Sequence, residues 1–140
     1  PRVYSPNGIV PVDDAIKEKR LHELVAVYGI KRKVVIQNTH LKEILGVDRS
    51  KSTLEIKGFK LVRNGYKMET KSTTGGLVVV NATYYPFFKA RAGSKNLPVI
   101  PVNAVQMAIK IPPGNQIVSL IYERPSLATK IPKMVDKMLD

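Results

Sequence analysis

Hydrophobic residues recur at two spacings along this chain, and the change of spacing divides it. Leu21, Leu24, Val25 and Tyr28 follow one another at i, i+3, i+4 and i+7, the apolar stripe of a helix. Lys17, Lys19, Arg20 and Glu23 fill much of the remaining surface. Asp13 or Asp14 is the expected N-cap, because a carboxylate there accepts from free backbone N–H groups and favours the positive helix end. Gly29 is the expected left-handed stop. The spacing therefore predicts a helix over roughly 13–28.

Around that helix the pattern is one of strands. Arg2-Val3-Tyr4 reads as a short strand ended by Pro6-Asn7-Gly8, and Lys33 to Gln37 as a β-branched strand; Thr39 to Leu45 reads as one or two helical turns ended by Gly46. From Leu54 onward apolar and polar positions alternate. The alternation changes parity at Gly58, which predicts a bulge, since a one-residue slip turns every side chain to the other face. Asn64-Gly65 is a hairpin signal of the type I′ kind, with positive φ expected at both residues. The return strand puts Tyr66, Met68 and Thr70 on one face and Lys67, Glu69 and Lys71 on the other. Leu77-Val78-Val79-Val80 does not alternate, which predicts a central strand covered on both sides. Val105, Met107, Ile109 and Ile111 alternate with polar or small residues before the turn Pro112-Pro113-Gly114-Asn115 and a last strand, Ile117 to Tyr122.

About six strands with short connections predict a mainly β fold, an antiparallel β-sandwich or open barrel of jelly-roll-like kind. An N-terminal strand-helix-strand lead-in precedes it, so the class is α+β if that part is counted. Residues 1–50 form the lead-in and 51–126 the body of one domain. Residues 127–140 form a tail with weak helical spacing, in which Pro132 fits only near a helix start.

With 140 residues and 44% hydrophobic side chains, the chain can fill a core. It contains no cysteine, which removes disulfides and thiolate metal sites. No run approaches the roughly 18 apolar residues of a membrane-spanning helix. The opening at Pro1, without a leader pattern, is the expectation for a fragment or processed product. The net charge is +12, enough to attract nucleic acid, anionic lipid or acidic glycopolymer. No acid occurs between Glu69 and Glu123, whereas Lys71, Lys89, Arg91, Lys95 and Lys110 do. Such a basic domain can still lie outside the cytoplasm, because only loops up to about 60 residues obey the positive-inside bias.

Candidate chemistry is sparse. His22 and His40 lack ligand spacing, and Asp13-Asp14 are neighbours that point apart on a helix. There is no nucleophile elbow and no phosphate loop, and no cofactor or metal is implied. The one concentrated feature is aromatic: Tyr84, Tyr85, Phe87 and Phe88 surround Pro86 and precede Lys89 and Arg91. These six residues form the candidate contact surface. Their rings either fill the core or project to stack on sugars or on single-stranded nucleic acid, although recognition-motif spacing for the latter is missing.

The ordered series Tyr84-Tyr85-Pro86, Lys89-Ala90, Val102-Asn103-Ala104, Pro112-Pro113-Gly114 and Tyr122-Glu123-Arg124-Pro125-Ser126 resembles the C-terminal extracytoplasmic domain of YfhO-type bacterial membrane proteins. These are polytopic and glycosyltransferase-like. Pro1-Arg2-Val3-Tyr4 and Val12-Asp13-Asp14 resemble that group's lead-in. Phe87-Phe88 stand where the group has Gly-Trp, and Leu127 to Asp140 is too charged and short for the membrane helix that usually follows. The resemblance implies a periplasmic or cell-surface accessory domain without catalytic residues of its own, beside the membrane domain of the same polypeptide. Its further partners would be anionic lipid headgroups or glycopolymer, with nucleic acid disfavoured. The alternative is an independent basic binding module for nucleic acid or acidic polysaccharide.

Overall fold

A computed structural model describes residues 3–47 and 54–123. Its organising element is the run that does not alternate. Leu77, Val78, Val79 and Val80 are all fully buried. Val78 and Val80 enter one core, with Met68, Met107, Ile109, Val118 and Leu120. Leu77 and Val79 enter another, with Val34, Ile36, Ile100 and Val102. Each such buried side chain contributes about 1.5–3 kcal/mol, so this strand ties two layers together.

The strands, in chain order, are β1 (Val3–Tyr4), β2 (Ile9–Val12), β3 (Val34–Gln37), β4 (Glu55–Val62), β5 (Gly65–Ser72), β6 (Gly76–Val80), β7 (Phe88–Ala92), β8 (Lys95–Leu97), β9 (Val99–Val102), β10 (Gln106–Ile111) and β11 (Gly114–Tyr122). Helix α1 spans Glu18–Ile30 and a 3-10 helix spans Asn38–Ile44. Two antiparallel sheets, β1-β6-β10-β9 and β4-β5-β11-β7-β8, share the first core as a β-sandwich. The parallel pair β2-β3 covers the outer face of the smaller sheet through the second core. Helix α1 lies beyond that pair, where Leu21 meets Val12 and Val35, with Leu24, Val25 and Tyr28 around them. The mainly β sandwich and its strand-helix-strand lead-in are thus as expected.

Several local expectations need correction. The lead-in's first strand is β2, whereas β1 pairs with β6 in the sandwich. Helix α1 begins at Glu18, not near Asp13, and Lys17 at its N-cap makes no side-chain cap. The carboxylates are engaged elsewhere: Asp13 accepts from the Ala15 N–H and Asp14 from the Thr39 N–H, each at 2.9 Å. Gly29 remains helical, and the left-handed residue after α1 is Arg32, with φ 56°. Val105, expected on a strand, lies in the β9–β10 turn and is 56% exposed.

The turns follow their chemistry more closely. The register shifts between Ile56 and Gly58, as the parity change required. The β4–β5 hairpin forms, but positive φ falls on Asn64 alone, at 63°. Gly65 is instead taken into β5, where a Cβ would overlap the Leu120 carbonyl oxygen. Asn103 and Ala104, with φ 49° and 72°, turn β9 into β10. The Pro112-Pro113-Gly114 turn delivers β11 with Gly114 at φ 97°. Of the closing motif, Arg124-Pro125-Ser126 lies outside the described residues, as does the helix expected within 127–140.

Candidate functional site

The aromatic loop spans 81–87, from the end of β6 to the start of β7, and bridges the two sheets at one end of the sandwich. The β4–β5 turn, the β9–β10 turn and the end of β11 meet it there. Backbone hydrogen bonds hold it at both sides: Tyr84 N–H donates to the Val105 carbonyl at 2.6 Å, and Glu123 N–H to that of Phe87 at 2.9 Å. Phe88 N–H donates to the Tyr85 carbonyl at 3.1 Å. That closes a β-turn with Pro86 in the second position, where its fixed φ fits. Phe87 follows with ordinary negative φ, so this turn has no need of the glycine found there in YfhO-type sequences.

Tyr122, at the end of β11, organises the rings. Phe88 lies 5.2 Å from it, and Tyr85 and Phe87 both 6.2 Å, all in edge-on geometry, the arrangement that aromatic quadrupoles favour. Phe88 and Tyr84 pack on the sandwich core. Tyr85 is 52% exposed and Pro86 is exposed. The loop therefore divides its aromatics: Tyr84 and Phe88 serve the core, Phe87 lies half-buried, and Tyr85 faces solvent. Beside them is a cavity of about 170 Å³ lined by Tyr84, Pro86, Phe88, Lys89, Asn96 and Leu97. Buried and exposed rings thus occur within one short segment.

The two candidate cations part company. Arg91 makes a two-pronged ion pair with Glu123, at 2.6 and 3.2 Å, and its Nε donates to the Asn96 side chain at 3.2 Å. It is neutralised by the acid that closes the acid-free stretch. Lys89 is exposed and has no acidic partner among the described residues. Lys110 points elsewhere, donating to the Leu45 carbonyl at 2.6 Å.

Sequence reasoning missed a group that lies close by. Lys60 and Lys67 stand directly opposite each other on β4 and β5, a like-charge pairing that disfavours the sheet. In the next strands of the same row come Ser119 and Arg91. Arg63 extends from the adjacent hairpin turn, and Lys60, Arg63 and Lys67 are exposed. The Asn64-Gly65 signal did not reveal it: a turn centred on those two residues opposes Lys60 to Glu69, whereas the turn that forms centres on Arg63 and Asn64 and opposes Lys60 to Lys67.

His22 is exposed and approaches Glu18 at 3.6 Å, while His40 is partly buried and approaches Glu43 at 3.7 Å, each within its own helix. No group of three or more metal-ligating side chains occurs among the described residues, and none of their helices is long and apolar enough to cross a membrane. No protein-family model, curated protein or solved structure matches the chain.

Proposed function

We propose that this chain is a non-catalytic accessory domain of a membrane-embedded, glycosyltransferase-like protein. It assists glycan or lipid-linked sugar handling on the extracytoplasmic side of a bacterial envelope. One observation carries the reading: the loop with the YfhO-like Tyr-Tyr-Pro sequence presents an exposed ring, Tyr85, while its neighbours Tyr84 and Pro86 line a small cavity. That cavity combines ring surfaces with a lysine and an amide, from Tyr84, Phe88, Lys89 and Asn96. Sugars are bound through aromatic faces and a few convergent polar groups, and a phosphate linker adds a need for one cation.

The test is to titrate the 140-residue chain with a water-soluble polyprenyl-phosphate hexose while following backbone and ring resonances. The expected result is shifts at Tyr84, Tyr85, Phe88 and Asn96, with no sugar transfer. Transfer by this chain alone, or shifts confined to another region, would overturn the reading. A second reading, an independent basic module for nucleic acid or acidic polysaccharide, is favoured by the Lys60–Lys67 juxtaposition. For duplex DNA it requires affinity to fall with salt at a log–log slope near −0.9 per phosphate neutralised.

A further inference from the structure

We infer that the end of the sandwich bearing the aromatic loop is a membrane-docking face, built to sit on an anionic phospholipid surface. Three exposed apolar or aromatic side chains gather there from separate elements: Leu61 near the tip of the β4–β5 hairpin, Tyr85 in the loop and Val105 in the β9–β10 turn. They are 67%, 52% and 56% exposed. Their common location follows from the backbone. Tyr84 N–H donates to the Val105 carbonyl, and Tyr122 N–H donates to the Asn64 carbonyl at 2.8 Å, so turn, loop and hairpin close on one another.

Lys60, Arg63, Lys67 and Lys89 border this end of the sandwich, with Lys60 and Lys67 on the outer face of the larger sheet and Leu61 on the face it shares with Tyr66. All four are exposed and have no acidic partner among the described residues. Of the acids on the same sheet face, Glu69 is the next outward residue after Lys67 and opposes Gly58, and Glu55 lies further along, opposite Lys71; one acid thus adjoins the four cations. Glu123 is occupied by Arg91. The charge at this end therefore remains positive.

Aliphatic and tyrosine side chains bordered by lysines and arginine are the composition that suits the headgroup boundary. There the apolar parts bury shallowly, while the long basic chains reach the phosphates. A soluble polyanion would use the cations but gain nothing from exposing Leu61 and Val105. The outer face of the larger sheet also offers no stacking platform: β5 and β11 present Lys67, Glu69, Ile117 and Ser119 there. Those features separate a lipid surface from nucleic acid. The inference rests on the accessory-domain reading for the nearness of a bilayer, and identifies which end of the domain meets it.

The chain contains no tryptophan, so Tyr85→Trp supplies a single reporter. With vesicles of phosphatidylglycerol and phosphatidylcholine, the reporter is expected to shift to the blue and to be quenched by brominated lipid. With phosphatidylcholine alone the change is expected to be small. A basic residue near an anionic surface is worth about fivefold in affinity. The triple variant Lys60→Gln/Arg63→Gln/Lys67→Gln should therefore bind on the order of a hundredfold more weakly. Neutralising two opposed lysines removes a repulsion, so the variant is expected to fold, which circular dichroism checks.

Failure of the folded chain to bind anionic vesicles, or binding that the triple variant retains, overturns the inference. Duplex DNA binding as tight as vesicle binding, and competing with it, overturns it in favour of a nucleic-acid module. The sugar titration contains no bilayer, so its result stands apart. Lost vesicle binding with intact sugar-induced shifts removes the docking face and leaves the accessory function.

Discussion

Asn103 and Val35 exchange two hydrogen bonds: the Val35 N–H donates to the Asn103 side-chain oxygen and the Asn103 N–H donates to the Val35 carbonyl, both at 2.8 Å. The asparagine amide nitrogen then donates to the Tyr4 hydroxyl at 3.2 Å and to Gln106 at 3.0 Å. Asn103 thus copies a strand edge with its side chain and joins the lead-in to the β9–β10 turn. Asparagine suits the place because it tolerates the positive φ of 49° better than most residues. Asn103→Ala leaves the Val35 N–H buried and unpaired and adds backbone strain, about 2–5 kcal/mol together. Asn103→Gly loses the same bonds without the strain, about 1–3 kcal/mol. Urea unfolding of both variants measures the difference, and faster amide exchange at Val35 in both locates it. Equal stability of the two variants would show that φ has no part in the choice of asparagine.

Thr70 offers a stabilising change. Its side chain is fully buried, and its hydroxyl has no hydrogen-bond partner among the described residues. Leaving a buried hydroxyl unpaired costs about 1–3 kcal/mol. Thr70→Val keeps the shape and should raise stability by roughly 1 kcal/mol. Thermal unfolding checks it; a lower midpoint would mean that the hydroxyl does have a partner.

Much of this fold follows from local pattern. The unbroken Leu77 to Val80 run, the parity change at Gly58 and the Pro112-Pro113-Gly114 turn each reflect a constraint acting over a few residues. Strand β2 escaped because it is four residues long, contains Pro11 and follows a turn-forming Pro-Asn-Gly. It persists because Ile9 and Val12 are buried against neighbours distant in sequence. The Gly93-Ser94 turn between β7 and β8 also went unread, although glycine with φ 61° is a hairpin signal. At the site, ring density was visible in the sequence. Its division between core and solvent was not, because Tyr122 arrives from another strand. Nor was the neutralisation of Arg91, which depends on the pairing of β7 with β11, strands far apart in sequence.

Arg91 and Glu123 are both partly exposed, at 43% and 38% of their side chains, so water screens their pair. A double-mutant cycle with Arg91→Leu and Glu123→Gln should give a coupling below about 1 kcal/mol. The more telling result concerns charge. Glu123→Gln releases Arg91 and is expected to strengthen binding to anionic vesicles, whereas Lys89→Gln weakens it. A weaker Glu123→Gln variant would show that the ion pair positions the loop rather than masking a cation.

Tyr4 supplies the pH dependence. Burial raises its hydroxyl above the ordinary value of 10.0, against smaller lowering effects from the Asn103 hydrogen bond and the Arg32 charge. The folded state therefore holds this proton more tightly than the unfolded chain. Its contribution is complete below pH 10 and is lost as pH rises through the folded value. Comparing wild type with Tyr4→Phe isolates that group from the other tyrosines and lysines. The stability gap between them should be constant from pH 7 to about 9 and should move in favour of Tyr4→Phe above about 10. A gap that stays constant across the whole range would mean that the hydroxyl is no more protected than in the unfolded chain.

Tyr122 and Tyr85 meet edge to face but should respond differently to substitution. Tyr122 touches three rings and sits in the β11 ladder between Phe88 and the Asn64 carbonyl. Tyr122→Ala removes all three contacts and is expected to cost about 3–5 kcal/mol. Tyr85 is half exposed and touches Tyr122 alone among the rings, so Tyr85→Ala should cost below about 1.5 kcal/mol. Binding should follow the opposite order at temperatures where both variants are folded: Tyr85→Ala loses affinity for polyprenyl-phosphate hexose, while Tyr122→Leu, which retains bulk beneath the loop, loses less. Calorimetric unfolding and ligand titration on the same samples check both halves. If Tyr85→Ala bound normally, the exposed ring would be a surface accident and the sugar contact would have to lie within the cavity of Tyr84 and Phe88.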